Sequence, residues 1–106
     1  MVVDVLCVGH ACYDLAFFVP HHPAPDEKIF SKELVLAGGG PAANAAVAVC
    51  RLGGTASFLG YLGKDPFGER HARELEEEGV ETSLLVHGEA PTPLAVSLVK
   101  PLGGQP

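Results

Sequence analysis

The run Leu36-Ala37-Gly38-Gly39-Gly40-Pro41-Ala42-Ala43-Asn44-Ala45-Ala46-Val47-Ala48-Val49-Cys50-Arg51-Leu52-Gly53-Gly54 constrains this chain more than any other stretch. It reads as a glycine-rich turn that opens directly into a helix of small residues. Glycine lets the backbone take conformations that a Cβ forbids and lets a ligand approach closely. Pro41 suits the first helical turn, where its missing N–H is not needed. The alanines are strong helix formers with almost no bulk, so the helix can lie close against a sheet. Gly53 or Gly54 supplies a left-handed C-terminal cap. Asn44 is the one polar side chain near the helix start, an amide that both donates and accepts. The combination suits a polyhydroxylated or anionic small molecule.

Composition sets the outer bounds. At 106 residues the chain forms one domain at most, and its 47% apolar content argues for a packed core. A formal charge of −6 disfavours nucleic acid and anionic membrane surfaces as partners. No apolar run reaches the length needed to span a bilayer. The N-terminus lacks a basic region and Asp4 interrupts its apolar stretch, which argues against a signal peptide. Cys7, Cys12 and Cys50 form no metal-ligand repeat, and they read as small buried hydrophobes in a reducing cytoplasm.

Along the chain, Val2–Val8 is a valine-rich run expected of a central strand buried on both faces. Tyr13–Val19 is a second strand, and the prolines of 20–25 exclude a strand interior. A loosely alternating strand is expected over Lys28–Val35, followed by the glycine turn and a helix to about Leu52. Thr55–Tyr61 reads as a third apolar strand. Asp65-Pro66 is an N-cap with proline at the first helical position. That helix runs to about Glu78, with Phe67, His71 or Ala72, and Leu75 inward. Val80–Val86 and Leu94–Val99 are two more strands. The order is β-β-β-α-β-α-β-β. It implies an α/β fold with an open, mostly parallel sheet, plus a small antiparallel sheet from the strands near 13–35 and 94–99. The ending Pro101-Leu102-Gly103-Gly104-Gln105-Pro106 is turn chemistry that normally introduces a hairpin partner. The expectation is therefore the N-terminal part of a considerably longer protein, with the C-terminal half of the fold absent.

The glycine-opened helix, with its Asn and Arg51-Leu52-Gly53, resembles the first signature of the ribokinase-like (PfkB) carbohydrate kinase family. Asp14 after the first strand, Pro23-Ala24-Pro25-Asp26-Glu27-Lys28, and Gly60-Tyr61-Leu62-Gly63-Lys64-Asp65-Pro66-Phe67-Gly68 resemble further family elements, in the family's order. The resemblance implies a partial ribokinase-like fold covering 1–106 with a β lid. It implies an ATP- and Mg2+-dependent phosphoryl transfer to a sugar hydroxyl. It implies Asp14, Gly39, Gly40 and Asn44 as sugar-binding residues, the di-glycine doubling as the hinge of the lid. A homodimer through the lid and a cytoplasmic location go with it. The family's second signature, Gly-Ala-Gly-Asp, which supplies the catalytic base, does not occur here. No catalytic residue, ATP site or metal site is therefore expected within these residues. Pro41 and Ala42 stand where ribokinase itself has Lys-Gly, which argues against ribose and brings the chain nearer other branches, sulfofructose kinase-like ones included.

Several features have plainer readings. On spacing alone, Asp14 serves equally as a hydroxyl acceptor or as a turn aspartate bonded to its own backbone. Gly38-x-Gly40-x-x-Ala43 also fits a dinucleotide-binding pattern, but no acid lies between Glu33 and Asp65 to hold a ribose. Gly63-Lys64-Asp65 fails as a P-loop end, since Phe58 stands where the first glycine belongs. His10, Cys12, His21 and His22 could be imagined as a metal cluster, but His21 and His22 read as a solvated turn pair and His10 as a strand-end residue, and Glu76-Glu77-Glu78 as a solvated helix face. A dinucleotide-binding oxidoreductase domain and a non-catalytic interaction module built on a kinase N-terminus stay open as alternatives.

Overall fold

The computed structural model describes residues 2–101. Its elements run β1 (Val5–Val8), β2 (Cys12–Phe18), β3 (Glu33–Gly39), α1 (Pro41–Arg51), β4 (Ala56–Leu59), β5 (Tyr61–Gly63), α2 (Pro66–Glu77), β6 (Val86–Gly88) and β7 (Leu94–Val99). β1 pairs with β4 in parallel, and β5 with β6 in parallel. β2 is the centre of a separate three-stranded sheet in the order β3-β2-β7.

The core lies where α1 and α2 meet the parallel strands. Ala42, Ala43 and Ala46 are the buried stripe of α1, and their small side chains let the helix pack tightly. Phe58, Leu62 and Leu75 are fully enclosed. Complete burial of a side chain such as Phe58 contributes about 1.5–3 kcal/mol. The Gly63-x-Asp65-x-x-Gly68 spacing has a packing reason. Asp65 caps α2 by accepting from the Gly68 N–H at 2.8 Å, and its other oxygen accepts from the Thr92 N–H at 2.8 Å. The Thr92 hydroxyl donates to Asp65 at 2.7 Å and accepts from the Gly63 N–H at 2.9 Å. A Cβ on Gly68 would collide with the Gly63 carbonyl, and one on Gly63 would lie 2.5 Å from the Ala90 oxygen. Both glycines are required by close backbone approach. The knot ties the start of α2 to the segment that leads into β7.

Several expectations are corrected. The third strand runs over Glu33–Gly39 rather than Lys28–Val35, so Gly38 and Gly39 are strand residues and not a turn. They pair with Tyr13 and Cys12, and backbone pairing outweighs their weak strand preference. Only Gly40 turns, with φ of 100°, as the N-cap of α1. The three-stranded sheet is mixed and not antiparallel, because β7 joins β2 in parallel. Asp14 lies inside β2, within the strand expected over Tyr13–Val19, so the alternative of a turn aspartate falls away. The stretch 55–61 splits at Gly60 into β4 and β5. A Cβ at Gly60 would lie 2.5 Å from the Gly9 carbonyl, which holds the break in place. Over 80–86 only a single bridge, Ser57 to Glu81, precedes β6. The first strand is shorter than expected, and it is not buried on both faces: Val5, Leu6 and Val8 are exposed, and only Cys7 is covered. Helix α1 covers one face of the β1–β4 pair, whereas a parallel sheet needs cover on both. Of the cysteines, Cys7 is buried while Cys12 and Cys50 are half-buried. The turn expected over the last residues lies, from Leu102 onward, outside the described residues.

Candidate functional site at the junction of lid and helix

β3 carries the three-stranded sheet directly into α1 through Gly40. The Gly40 carbonyl accepts the first helical bond, from the Asn44 N–H at 2.9 Å. Among the described residues no side chain caps α1, and its first turn holds no acid, so the start of the helix keeps its donors uncompensated by their side chains. A Cβ on Gly40 would lie 2.5 Å from the Ala11 Cα and 2.5 Å from the His10 oxygen, both backbone atoms. Positive φ and lack of space together fix glycine here.

Asp14 sits beside this junction. In the register of β2 and β3, Cys12 faces Gly39 and Asp14 faces Ala37, so the two side chains share one face of the sheet. A Cβ on Gly39 would collide with Asp14 Oδ2 and lie 2.9 Å from its Cγ. The missing side chain at Gly39 is the space the carboxylate occupies. The Cys12 thiol donates to Asp14 Oδ1 at 3.2 Å. Burial first, and then the Asp14 carboxylate, push the Cys12 thiol up to about 11. Cys12 is therefore a protonated donor and not a thiolate nucleophile. Among the described residues Oδ2 receives no hydrogen bond, which leaves an acceptor aimed over Gly39.

The opposite face of the junction packs on α2. Tyr13 is fully buried and lies 5.7 Å from the Phe67 ring, centroid to centroid. Its hydroxyl donates to Glu74 Oε2 at 3.0 Å, and the other oxygen of Glu74 accepts from the Gly38 N–H at 3.1 Å. Burial, and then Glu74, raise the Tyr13 phenol above its ordinary value. The buried His71 ring donates from Nε2 to the Gly39 carbonyl at 3.0 Å, and its Nδ1 has no partner among the described residues.

Asn44 lies in the first turns of α1. It is exposed on α1 and lines a groove of about 380 Å3 between α1, α2 and β3, with Gly38, Arg51, His71 and Glu74 among its walls. Asp14 is not among the lining residues. The structure thus seats Asp14 against Gly39 and places Asn44 one helical turn after Gly40. Sequence reasoning placed His71 inward on the helix, as observed, but gave no part in the site to it, Tyr13 or Glu74. The available signal was the spacing of His71, Glu74 and Leu75, which puts an acid on the inward face of an amphipathic helix.

The donor set of a carboxylate, a protonated thiol and close-packed glycine backbone fits recognition of neutral hydroxyls. It does not fit an ATP–Mg2+ complex, which needs phosphate donors and a gathered set of oxygen ligands. No group of three His, Cys, Asp or Glu side chains is gathered among the described residues. The dinucleotide pattern needs a glycine turn between a strand of the parallel sheet and its helix. Here the strand before the glycines belongs to the lid sheet. No helix of the described residues is long and apolar enough to cross a membrane.

Comparison with known proteins gives the chain its relatives. The chain is 49% identical to an Escherichia coli fructokinase over 51 residues, covering 48% of this chain and 17% of that protein. It is 32% identical to a Geobacillus kaustophilus 5-dehydro-2-deoxygluconokinase over 84 residues, covering 79% of this chain and 24% of the relative. The Arabidopsis thaliana ribokinase solved with ribose and ATP superposes with a TM-score of 0.87 at 29% identity, over 99% of this chain and 34% of that one. The chain therefore spans about a sixth to a quarter of the length of these curated relatives. The pfkB family carbohydrate kinase profile covers residues 3–105, and the chain belongs to that family.

Proposed function

We propose that these residues form the sugar-binding part and lid of an ATP-dependent kinase that phosphorylates a hydroxyl of a furanose-like sugar, a sugar derivative or a nucleoside. The observation that carries this reading is the Asp14 carboxylate seated in the space left by Gly39, at the point where the lid strand becomes α1. A carboxylate there accepts bonds from two neighbouring hydroxyls. Gly39 and Gly40 let the ligand approach the backbone, and Asn44 supplies a second polar contact. Closure of the lid about the glycine pair would exclude water from the transfer.

ATP, with its Mg2+, supplies the phosphoryl group, and the residues that hold them and the catalytic base lie outside this chain. On this reading the 106 residues alone bind sugar weakly and transfer nothing. Phosphoryl transfer rests on positioning and electrostatic stabilisation, and the side chains described provide neither for a triphosphate. On one face the three-stranded sheet exposes Leu34, Leu94, Val96 and Leu98, a surface suited to pairing with a second lid in a homodimer. The protein works in the cytoplasm, where ATP is supplied. The test is a coupled ATP assay over a panel of ketoses, aldoses, sugar acids and nucleosides on the full-length protein. Asn44→Ala and Asp14→Ala should each lower kcat/KM for the accepted sugar. An unchanged value for Asn44→Ala would assign Asn44 to the groove between the helices and remove it from the sugar site.

A further inference from the structure

We propose that Glu74 is a positioning residue for sugar binding, acting through the two lid strands. The proposal rests on the sugar-kinase reading above and adds a residue to it. β3 is an edge strand, so alternate N–H groups along it have no ladder partner. Gly38 shows this directly. Its partner in the register, Tyr13, donates its own N–H to the Pro93 carbonyl on the β7 side, so the Gly38 N–H points away from β2. Glu74 supplies the missing acceptor at 3.1 Å. The same carboxylate takes the Tyr13 hydroxyl at 3.0 Å. One side chain of α2 therefore holds β2 at the residue before Asp14 and β3 at the residue before Gly39.

His71, one turn earlier on α2, holds the Gly39 carbonyl itself. The space for this clamp comes from Gly38. A Cβ there would lie 2.5 Å from His71 Cε1 and 3.0 Å from Glu74 Oε1. The two glycines divide the work. The empty side of Gly38 admits the clamp from α2, and the empty side of Gly39 admits Asp14 from the other face. Arg70 approaches Glu74 at only 3.8 Å in an exposed pair, so the hydrogen bonds to Gly38 and Tyr13 are the principal partners of the carboxylate. Register between β2 and β3 at this point sets the distance from Asp14 to the Gly39 backbone, and hence the fit to two adjacent hydroxyls.

The experiment compares wild type, Glu74→Ala and Glu74→Gln in the full-length protein. Gln keeps an acceptor for the Gly38 N–H and a polar partner for Tyr13, while Ala keeps neither. Glu74→Ala should raise the sugar KM about tenfold, the effect of losing one charge-assisted hydrogen bond, with the ATP KM unchanged. Glu74→Gln should recover most of the loss. A sugar KM unchanged in Glu74→Ala, or a loss shared equally by sugar and ATP, would overturn the proposal. A second readout needs no activity. The pH profile of Cys12 alkylation, followed by peptide mass spectrometry, reports where the Asp14 carboxylate sits. It should move to lower pH in Glu74→Ala and stay near wild type in Glu74→Gln. An unchanged profile in Glu74→Ala overturns the proposal even if the sugar panel finds no substrate, an outcome that would sink the sugar-kinase reading separately.

Discussion

Gly39→Ala puts the proposed site under the most specific strain. The backbone at Gly39 is strand-like and paired with Cys12, so alanine brings no conformational penalty. Its Cβ would instead overlap Asp14 Oδ2 and stand 2.9 Å from Cγ. The clash is with the free end of a side chain, which can swing away. The cost in stability should therefore sit near the lower bound of overpacking, about 1 kcal/mol. Binding should suffer more. A displaced carboxylate loses its hydrogen bonds to sugar hydroxyls, worth roughly 1.5–3 kcal/mol, or about ten- to a hundredfold in affinity. Gly40→Ala is the contrast. Its Cβ meets the Ala11 Cα and the His10 oxygen at a φ of 100°, so it should unfold the junction. The assay is sugar KM at fixed ATP in the full-length protein, with thermal melting alongside. Gly39→Ala combined with Asp14→Ala should bind sugar no worse than Asp14→Ala alone, because both changes act through one carboxylate. The Cys12 thiol should also titrate below about 11 once Asp14 leaves, though burial, the larger cause, keeps it above an ordinary thiol. Additive losses, or a Cys12 profile that does not move, would refute the reasoning.

Three further outcomes follow from the same contacts. Hydrogen bonds from Thr92 and then Gly68 hold the Asp65 carboxyl below the usual carboxylate range, so its contribution is present above the ordinary aspartate pKa and lost as pH falls through the depressed one; acid melting should show Asp65→Asn less stable than wild type near neutrality, with the gap closing at low pH. The raised Tyr13 phenol works in the other direction, contributing below the ordinary tyrosine value near 10 and fading as pH climbs through the folded one; Tyr13→Phe should flatten the alkaline limb of a pH–stability curve, and a limb unchanged in shape would contradict the Glu74 bond. The isolated 106-residue chain should self-associate, since Leu6, Val8, Phe30 and Val96 are all exposed; light scattering that stays monomeric across a concentration series would count against this.

The helices were legible in the sequence because their signals are local. Pro41 and the alanine stripe set α1, and the Asp65-Pro66 cap set α2 within a residue or two. Family membership followed from the glycines, Asn44 and the Gly63–Gly68 spacing. The lid was read less well. Gly38 and Gly39 have poor strand propensity, so nothing local shows that β3 continues through them; their pairing with Tyr13 and Cys12 is a long-range fact. The parallel join of β7 to β2 is long-range in the same way. Asp14 was found as a site candidate, but its seat in the space of Gly39 depends on register. Tyr13 and Glu74 meet across 61 positions of sequence, a distance that no periodicity reports.

The central claim is that Asp14 binds sugar for a kinase. Its most direct test is steady-state phosphoryl transfer by the full-length protein, wild type against Asp14→Ala, at saturating ATP with the sugar varied. The account predicts a substrate in the sugar panel whose kcat/KM falls about ten- to a hundredfold in Asp14→Ala, with the ATP KM unmoved. A kcat/KM unchanged for every accepted sugar would make Asp14 a structural residue and contradict the account.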